Sequence, residues 1–391
     1  MNPAVPPSAP TGLDLVLVGG GLQSALIALS VLERRPDASL VMLEGSDRIG
    51  GNHTWSFHAG DVPEAAHGFV EPLVEHRWPA YDVAFPGHER RLDQGYATIS
   101  SDRLAAVVTE RLRAAPHAVL HTGARAVEVT GTSVTLDDGR QFAGKAVIDS
   151  RGPGRLPPAP GTGFQKFVGL ELDLAEPSPR TVPLLMDACV QQTDGFRFFY
   201  VLPLAERRVL IEDTYFSDTA DLGLAAISRE ILAYARARGF VVSGVVRRES
   251  GALPLPVRAL PVLHSVSPLV AGYAGGWFHP ATGYSLPAAV RLALHVGQTP
   301  AEDLFGADWE RLVARHRQQF RFGALLNKML FTAFAPEDRW NALARFYRMP
   351  EATIARFYSL ETTQADRLRV LCGRPPRGLS ARTAISRGAF A

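Results

Sequence analysis

The sequence predicts an α/β chain in three parts: a parallel-sheet part, a second part built on an antiparallel sheet, and a helical C-terminal region. Three observations predict it. A short apolar run, Leu13-Asp14-Leu15-Val16-Leu17-Val18, breaks into Gly19-Gly20-Gly21 and continues as a helical pattern through Leu22, Leu26, Leu29 and Leu32. Between Phe164 and Glu249 the runs lengthen, and Phe and Tyr replace Ala, as suits strands of a half-buried sheet. After Asp303 the spacing is helical, with arginines on the flanks.

The first part reads as a nucleotide site. After Pro36 a second apolar run, Leu40-Val41-Met42-Leu43, ends on Glu44, giving strand, glycine turn, helix, strand and acid. Gly19, Gly20 and Gly21 permit a tight turn and let backbone approach a pyrophosphate, while the helix N-terminus offers unpaired N–H groups. An acid about 20 to 25 residues on is placed for a ribose hydroxyl, which is the role expected of Glu44. The third glycine position is Ser24, still small enough for close helix–strand packing. The expected fold is therefore a Rossmann-type dinucleotide-binding domain.

Composition narrows the class. With 391 residues, 46% hydrophobic and 20% charged, the chain is expected to be soluble, globular and long enough for two domains. A formal charge of +2 is too small to argue for nucleic acid, and no run approaches the roughly 18 uncharged apolar residues of a membrane span. Residues 1–12 are Pro- and Ala-rich without the pattern of a signal peptide, so a flexible tail is expected. Cys189 and Cys372 have no metal-type spacing, and no metal site is expected; a reducing, cytoplasmic setting is the simplest account. From Phe305 onward there are 15 Arg and Lys against 7 Asp and Glu, so the tail is the basic part.

Taken in order, the next feature is Arg48-Ile49-Gly50-Gly51-Asn52-His53-Thr54-Trp55-Ser56-Phe57. A glycine pair beside an arginine, just past the ribose acid, suits a loop lying along a dinucleotide, and FAD fits it better than a nicotinamide nucleotide. Arg48, Gly50 and Gly51 join the expected cofactor contacts; His53 is given no catalytic role. Residues 61–94 look irregular. Ser100 to Ala114 reads as a helix capped by Ser100 or Ser101. Ala126–Val129, Ser133–Leu136 and Gln141–Phe142 read as an antiparallel ribbon, and Ala146–Asp149 as a buried strand ending in Ser150-Arg151-Gly152. That strand end reads equally as a second contact to the dinucleotide and as a plain exit into a loop.

Phe196–Leu202 and Val209–Phe216 read as paired strands, and Ala220–Arg238 as an amphipathic helix. Leu269–Gly272 returns as a short strand before a glycine-rich loop, and Ala288–Val296 is helical with Pro287 in its first turn. The loop residues Thr282, Gly283 and Tyr284 complete the expected cofactor set, because this helix N-terminus points back at the loop and favours an anionic reduced flavin ring. Helices are expected at Trp309–Phe320, Phe322–Phe334, Arg339–Tyr347 and Glu351–Tyr358. Gly323–Phe334 reads as a helix able to lie on a bilayer, and arginine-fringed helices read also as plain solvated surface. The domain expectation is residues 13–60, 95–155 and 255–300 for FAD, 61–94 and 156–254 for substrate, and 301–391 as a basic helical region.

Four runs resemble the bacterial lycopene β-cyclases: Gly50–Phe57, Leu210-Ile211-Glu212-Asp213-Thr214, Gly251-Ala252-Leu253-Pro254 and Phe278-His279-Pro280-Ala281-Thr282-Gly283-Tyr284-Ser285-Leu286-Pro287. They occur in the family's order, with Arg345-Phe346-Tyr347 and Asp366-Arg367-Leu368-Arg369 following; Ser24 and Ala281 are small departures. The resemblance implies an isomerase of carotenoid biosynthesis that folds both ends of lycopene, or another linear carotenoid, into β-rings without net redox change. It implies reduced FAD, with NAD(P)H as electron source, and a cytoplasmic protein held peripherally on the inner face of the cell membrane.

Such chemistry needs an acid beside a hydrocarbon and a cavity that excludes water. Glu212 suits the acid and base role, since a glutamate on an apolar wall stays protonated near neutral pH. Period-2 alternation puts Leu210, Glu212 and Thr214 on one strand face and Val209, Ile211 and Asp213 on the other, so the two carboxylates cannot share a face. Asp213 reads as a supporting or structural acid. The final base is left open among Glu212, the flavin and another group. The rival readings are an FAD-dependent oxidoreductase, either monooxygenase or isoprenoid reductase, and a non-catalytic flavin- or carotenoid-binding protein. The residues carry no sign of oligomeric state.

Overall fold

The computed structural model describes residues 12–152, 162–258 and 266–379. The flexible tail expected at residues 1–12 lies almost wholly outside them, as do residues 380–391 of the basic region.

Local sequence makes the first layer. The run β1 (Leu13–Val18) leads through the glycine turn into α1 (Leu22–Arg34), and β2 (Leu40–Leu43) follows. Both strands are apolar on both faces because a parallel strand is covered on both sides. Next come β3 (Thr54–His58), the single turn α2 (His67–Val70), β4 (His76–Trp78), β5 (Tyr81–Phe85), β6 (His88–Leu92) and β7 (Tyr96–Ser100). Ser100 caps α3 (Ser101–Ala114) by accepting the Arg103 N–H, as the sequence predicts. Then follow β8 (Ala118–His121), β9 (Ala126–Val129), β10 (Ser133–Leu136) and β11 (Gln141–Asp149).

The middle of the chain supplies β12 (Gly163–Leu174), β13 (Leu184–Asp187), β14 (Phe196–Ala205), β15 (Arg208–Ser217), α4 (Leu224–Ala237) and β16 (Val242–Leu255). The remainder is β17 (Leu269–Val270), α5 (Leu286–Gln298), α6 (Ala307–Ala333), α7 (Trp340–Phe346), α8 (Glu351–Tyr358) and α9 (Gln364–Leu371).

Three sheets result. The first runs β8-β2-β1-β11-β10-β9, with β17 also parallel to β11. α1 and α5 pack in one core with it, so tightly that a side chain at Gly297 would meet Ser30. The second runs β16-β12-β15-β14-β13-β5-β6 and is antiparallel except where β13 meets β5. One of its faces buries Val209, Ile211 and Phe199 against Ile231 and Tyr234 of α4. The other packs Phe196, Phe198 and Leu210 with residues of α6, α7 and α8, so the C-terminal helices roof this sheet. The third sheet, β3-β7-β4, bridges the two.

Three expectations need correction. Residues 61–94 are not irregular: Tyr81, Val83 and Phe85 alternate inward along β5, which pairs with β6 at the edge of the second sheet. His88-Glu89-Arg90-Arg91 is polar because that edge faces solvent, and the polarity hid the strand. The two helices expected at Trp309–Phe320 and Phe322–Phe334 are one helix of 27 residues. Gly323 does not break it; the missing side chain lets Pro280 press against the helix, where a Cβ would come within 2.5 Å. Gly323–Phe334 does not lie free for a bilayer either, since Gly323 and Ala324 are buried and Leu330 and Phe331 join the core under the second sheet. Among the described residues no helix is long and apolar enough to cross a membrane.

Candidate active site

Between the second sheet and its helical roof lies a cavity of about 490 Å³, within the usual range for a small-molecule site. Its walls are mainly apolar, with Phe167, Phe198, Phe216, Leu253, Leu330 and Phe346 among them. Alternation along β15 puts Glu212, Thr214 and Phe216 on the cavity and Ile211, Asp213 and Tyr215 on the α4 side. Among the described residues that line the cavity, Glu212 is the single acid. Burial is the first cause that holds its carboxyl well above the usual range; the charge and hydrogen bond of Glu249 add to it, and Arg247 opposes.

Glu249 comes from β16, two strands away, and β12 runs between. Gly169 of β12 pairs with Glu212 on one side and Glu249 on the other. A Cβ there would sit 2.9 Å from the Cγ atoms of both glutamates, so glycine is what lets them lean together. One oxygen of Glu249 accepts from Arg247 at 2.8 Å and Thr54 at 3.2 Å, while the other is buried with only Glu212 to meet. On the opposite side of Glu212, Tyr200 is its cross-strand neighbour. From Tyr200 a line of hydroxyls runs to Tyr96 at 2.9 Å and on to Tyr284 at 2.6 Å.

Asp213 meets a different environment. It is fully buried on the α4 face, where Arg197 donates two hydrogen bonds of 2.9 and 2.7 Å and Tyr215 a third of 2.8 Å. Burial raises its carboxyl and Arg197 opposes the rise. Of the aromatic residues that alternation divides, Phe198 and Tyr200 line the cavity; Phe199 stacks on Tyr234 of α4 with centroids 3.8 Å apart.

The residues expected to bind a cofactor gather at the C-terminal edge of the first sheet. Gly19 has φ +92°, and a Cβ there would strike the Ser150 carbonyl, so the end of β11 does return to the glycine turn. Glu44 accepts the Gly20 N–H at 2.6 Å and the Ser46 N–H at 2.8 Å. Gly21 is the N-cap of α1 without a side-chain cap, and the space before it is open. Ser24 in the first turn is buried with its hydroxyl unpartnered, as is the hydroxyl of Ser150. Gly50 and Gly51 have φ of +86° and +62°, and the Gly50 N–H donates to the Gly20 carbonyl. Arg48 is ion-paired with Asp102 of α3 at the surface.

The cavity reaches toward this edge. His53 to Ser56, which follow the second glycine pair, line it, and so do Thr282, Gly283 and Tyr284 at the N-terminus of α5. Gly283 has φ +70° and faces Gln165, whose side-chain carbonyl is buried without a partner. Ser285, the N-cap of α5, makes no side-chain cap. Two uncapped helix starts, unpartnered buried hydroxyls and open glycine backbone fit an elongated, phosphate-bearing dinucleotide. Sequence reasoning missed Glu249, Gly169 and the Tyr200–Tyr96–Tyr284 line. The period-2 set Arg247, Glu249 and Gly251, which leads into the Gly251–Pro254 run, puts Glu249 on one strand face but does not by itself bring it to Glu212.

Known proteins match almost the whole chain in sequence. A family model described as lycopene cyclase protein matches residues 14–384. The chain is similar to the lycopene beta-cyclase of Pantoea ananas, 41% identical over 370 residues, covering 93% of this chain and 95% of that one. It is likewise similar to the lycopene beta-cyclase of a Paracoccus species, 38% identical over 373 residues, covering 93% and 94%. Its mixed α/β fold resembles PqsL, a probable FAD-dependent monooxygenase from Pseudomonas aeruginosa, with TM-score 0.61 and 17% identity over 84% of this chain and 98% of that. It also resembles a geranylgeranyl bacteriochlorophyll reductase-like protein from Thermoplasma acidophilum, with TM-score 0.60 and 12% identity over 96% and 98%. Those two likenesses speak for the fold alone. The sequence matches speak for descent, and by them the chain belongs to the lycopene cyclase family.

Proposed function

We propose that the protein cyclises the linear ends of lycopene to β-rings, through γ-carotene to β-carotene, without net redox change. One observation carries this reading: a single carboxyl, Glu212, lines a mainly apolar cavity whose burial raises it well above the usual carboxylate range. The Glu212 carboxyl gives its proton to the terminal double bond, leaving a tertiary cation. A neighbouring double bond attacks that cation and closes the ring, and loss of a ring proton places the new double bond. The apolar walls keep water from the cation. Phe198, Tyr200 and Phe216 turn aromatic surface toward it, which favours positive charge.

In this reading Gly19, Gly20, Gly21, Ser24, Glu44, Arg48, Gly50 and Gly51 of the first sheet would hold FAD, together with Thr282, Gly283 and Tyr284. Reduced by NAD(P)H, FAD would supply negative charge to the site and no hydride. The second sheet with its roof holds the carotenoid.

A hydrocarbon of this length has to be taken from a bilayer, so the protein works on the inner face of the cell membrane. The supporting surface lies at the end of the roof: Leu371 and Leu379 line the cavity and yet are 40% and 41% exposed, with Arg374 and Arg377 beside them. The double variant Arg374→Glu/Arg377→Glu is expected to lose binding to anionic liposomes, and unchanged binding would remove this surface from the account.

The test of the reaction is anaerobic incubation with lycopene in liposomes, with oxidised or reduced FAD, and chromatography of the products. Conversion to γ- and β-carotene at unchanged mass, only with reduced flavin, is expected. A product heavier by oxygen or hydrogen would replace the cyclase reading with an oxygenase or reductase.

A further inference from the structure

Glu212 lines the cavity with a second carboxyl, Glu249, beside it, and this inference rests on the role of Glu212 as the acid. On one face of β15, β12 and β16, the row Glu212–Gly169–Glu249 lies next to the row Leu210–Glu171–Arg247, and the three carboxyls share few cations. Glu171 binds Arg208 at 2.8 Å and Arg247 at 3.0 Å. Arg247 also binds Glu249, and its remaining donors go to Thr54 at 2.7 Å and Asn52 at 3.2 Å. Arg208 is drawn further outward by Asp173 at 2.8 Å. Glu212 is the carboxyl of these three without an arginine hydrogen bond, and Glu249, with one oxygen buried and unpartnered, is its hydrogen-bonding neighbour. One shared proton satisfies both facing oxygens, and with Arg247 bound to Glu249 and no arginine on Glu212, Glu212 is the side that holds it as the O–H of a carboxyl–carboxylate pair.

We propose that Glu249 is the positioning residue of a one-proton carboxyl pair, which keeps the catalytic proton on Glu212 and makes Glu212 the base that takes the ring proton back. The steps balance. The proton leaves the Glu212 oxygen for the CH carbon of the terminal double bond, the electron pair of that double bond forms the new C–H bond, and the dimethyl carbon is left as the tertiary cation that ring closure then consumes. Glu212 is then a carboxylate beside another carboxylate in a dry site, which two like charges a few ångströms apart oppose. The cyclised cation is the nearest proton donor. Its ring C–H gives the proton to Glu212, the C–H electron pair becomes the ring double bond, and the pair returns to its starting state.

Among the described residues, Glu249 and Arg247 on β16 and Tyr200 on β14, with Tyr96 and Tyr284 behind it, stand next to Glu212, while His53 of the second glycine loop and Arg345 of α7 line the same cavity with Tyr273, Tyr347 and Tyr358. β12 contributes only Gly169 at this point. Thr54 and Asn52 tie the pair to the second glycine loop, and Asn52 also donates to the Arg248 carbonyl at 2.7 Å. The positioning of the pair is thereby fastened to the loop expected to lie along the cofactor.

The experiment is a pH–rate profile of cyclisation in liposomes with reduced FAD for the whole protein and for Glu249→Gln, Gly169→Ala and Glu212→Gln. Activity belongs to protonated Glu212, so it falls as pH rises through that group's pKa. Removing the neighbouring charge lowers that pKa. Glu249→Gln is therefore expected to move the alkaline fall at least about one pH unit lower and to reduce kcat about tenfold or more, with KM little changed. Gly169→Ala, which pushes the carboxyls apart, is expected to move the profile the same way, and it stands in if Glu249→Gln does not bind flavin. A wild-type profile in either variant, with Glu212→Gln inactive, overturns the pair and leaves Glu212 as the acid. An active Glu212→Gln overturns the proposed acid itself, whatever the other variants do.

Discussion

Glu212 and Asp213 are consecutive acids on one strand, both raised by burial, and the sheet sends them to opposite fates. Asp213 lies under α4 with Arg197 clamped on it, and Arg197 also reaches Glu230 at 3.1 Å. Glu212 lies under the helical roof, with another carboxyl where Asp213 has a guanidinium. Burial alone does not make a proton donor. A buried acid with a cation is a structural ion pair, and a buried acid with a like charge keeps its proton ready for use.

The largest expected effect that tests this contrast is on Glu212. Glu212→Gln keeps size and polarity but removes the proton donor, so turnover is expected to fall about 10²- to 10⁴-fold with little loss of stability. Product chromatography with a thermal melt measures both; wild-type turnover would erase the distinction between the two acids. Asp213→Asn should do the reverse. It leaves the Arg197 guanidinium buried with no charge to match, and a loss of about 3–5 kcal/mol in denaturant unfolding is expected. Turnover per folded, flavin-loaded molecule is expected to stay within a few-fold, and a specific loss as large as that of Glu212→Gln would make Asp213 a catalytic partner.

The neighbouring strand offers a weaker form of the same comparison. Phe198 lines the cavity and Phe199 stacks on Tyr234. Phe199→Ala should cost about 3–5 kcal/mol, as large-to-small core changes do. Phe198→Ala removes a wall that already borders open space, so it should cost less stability and slow cyclisation more. Equal stability losses with equal turnover would mean that the two faces of the sheet are not divided as described.

How much of this was legible in the sequence follows from how far apart the partners lie. The glycine turn, α1, β2, Glu44 and the Ser100 cap are set by residues close in the chain, and each has a local signature. The split between Glu212 and Asp213 was legible too, because alternation needs nothing beyond the strand itself. Glu249 was not, since its approach to Glu212 depends on β12 lying between β15 and β16 and on that strand offering glycine at position 169. The roof was equally hidden: Leu326 and Leu330 look like one face of a free amphipathic helix until the second sheet is known to stand opposite. The edge strand β6 escaped because solvent on its outer side permits His-Glu-Arg-Arg where a buried strand would show apolar residues.

The most direct measurement is infrared spectroscopy of the protonated-carboxyl C=O band near neutral pH, in wild type, Glu212→Gln and Asp213→Asn. The account predicts a band in the wild-type protein that disappears in Glu212→Gln and persists in Asp213→Asn. A band that survives Glu212→Gln and is lost with Asp213→Asn would reverse the roles of the two acids and contradict the account at its centre.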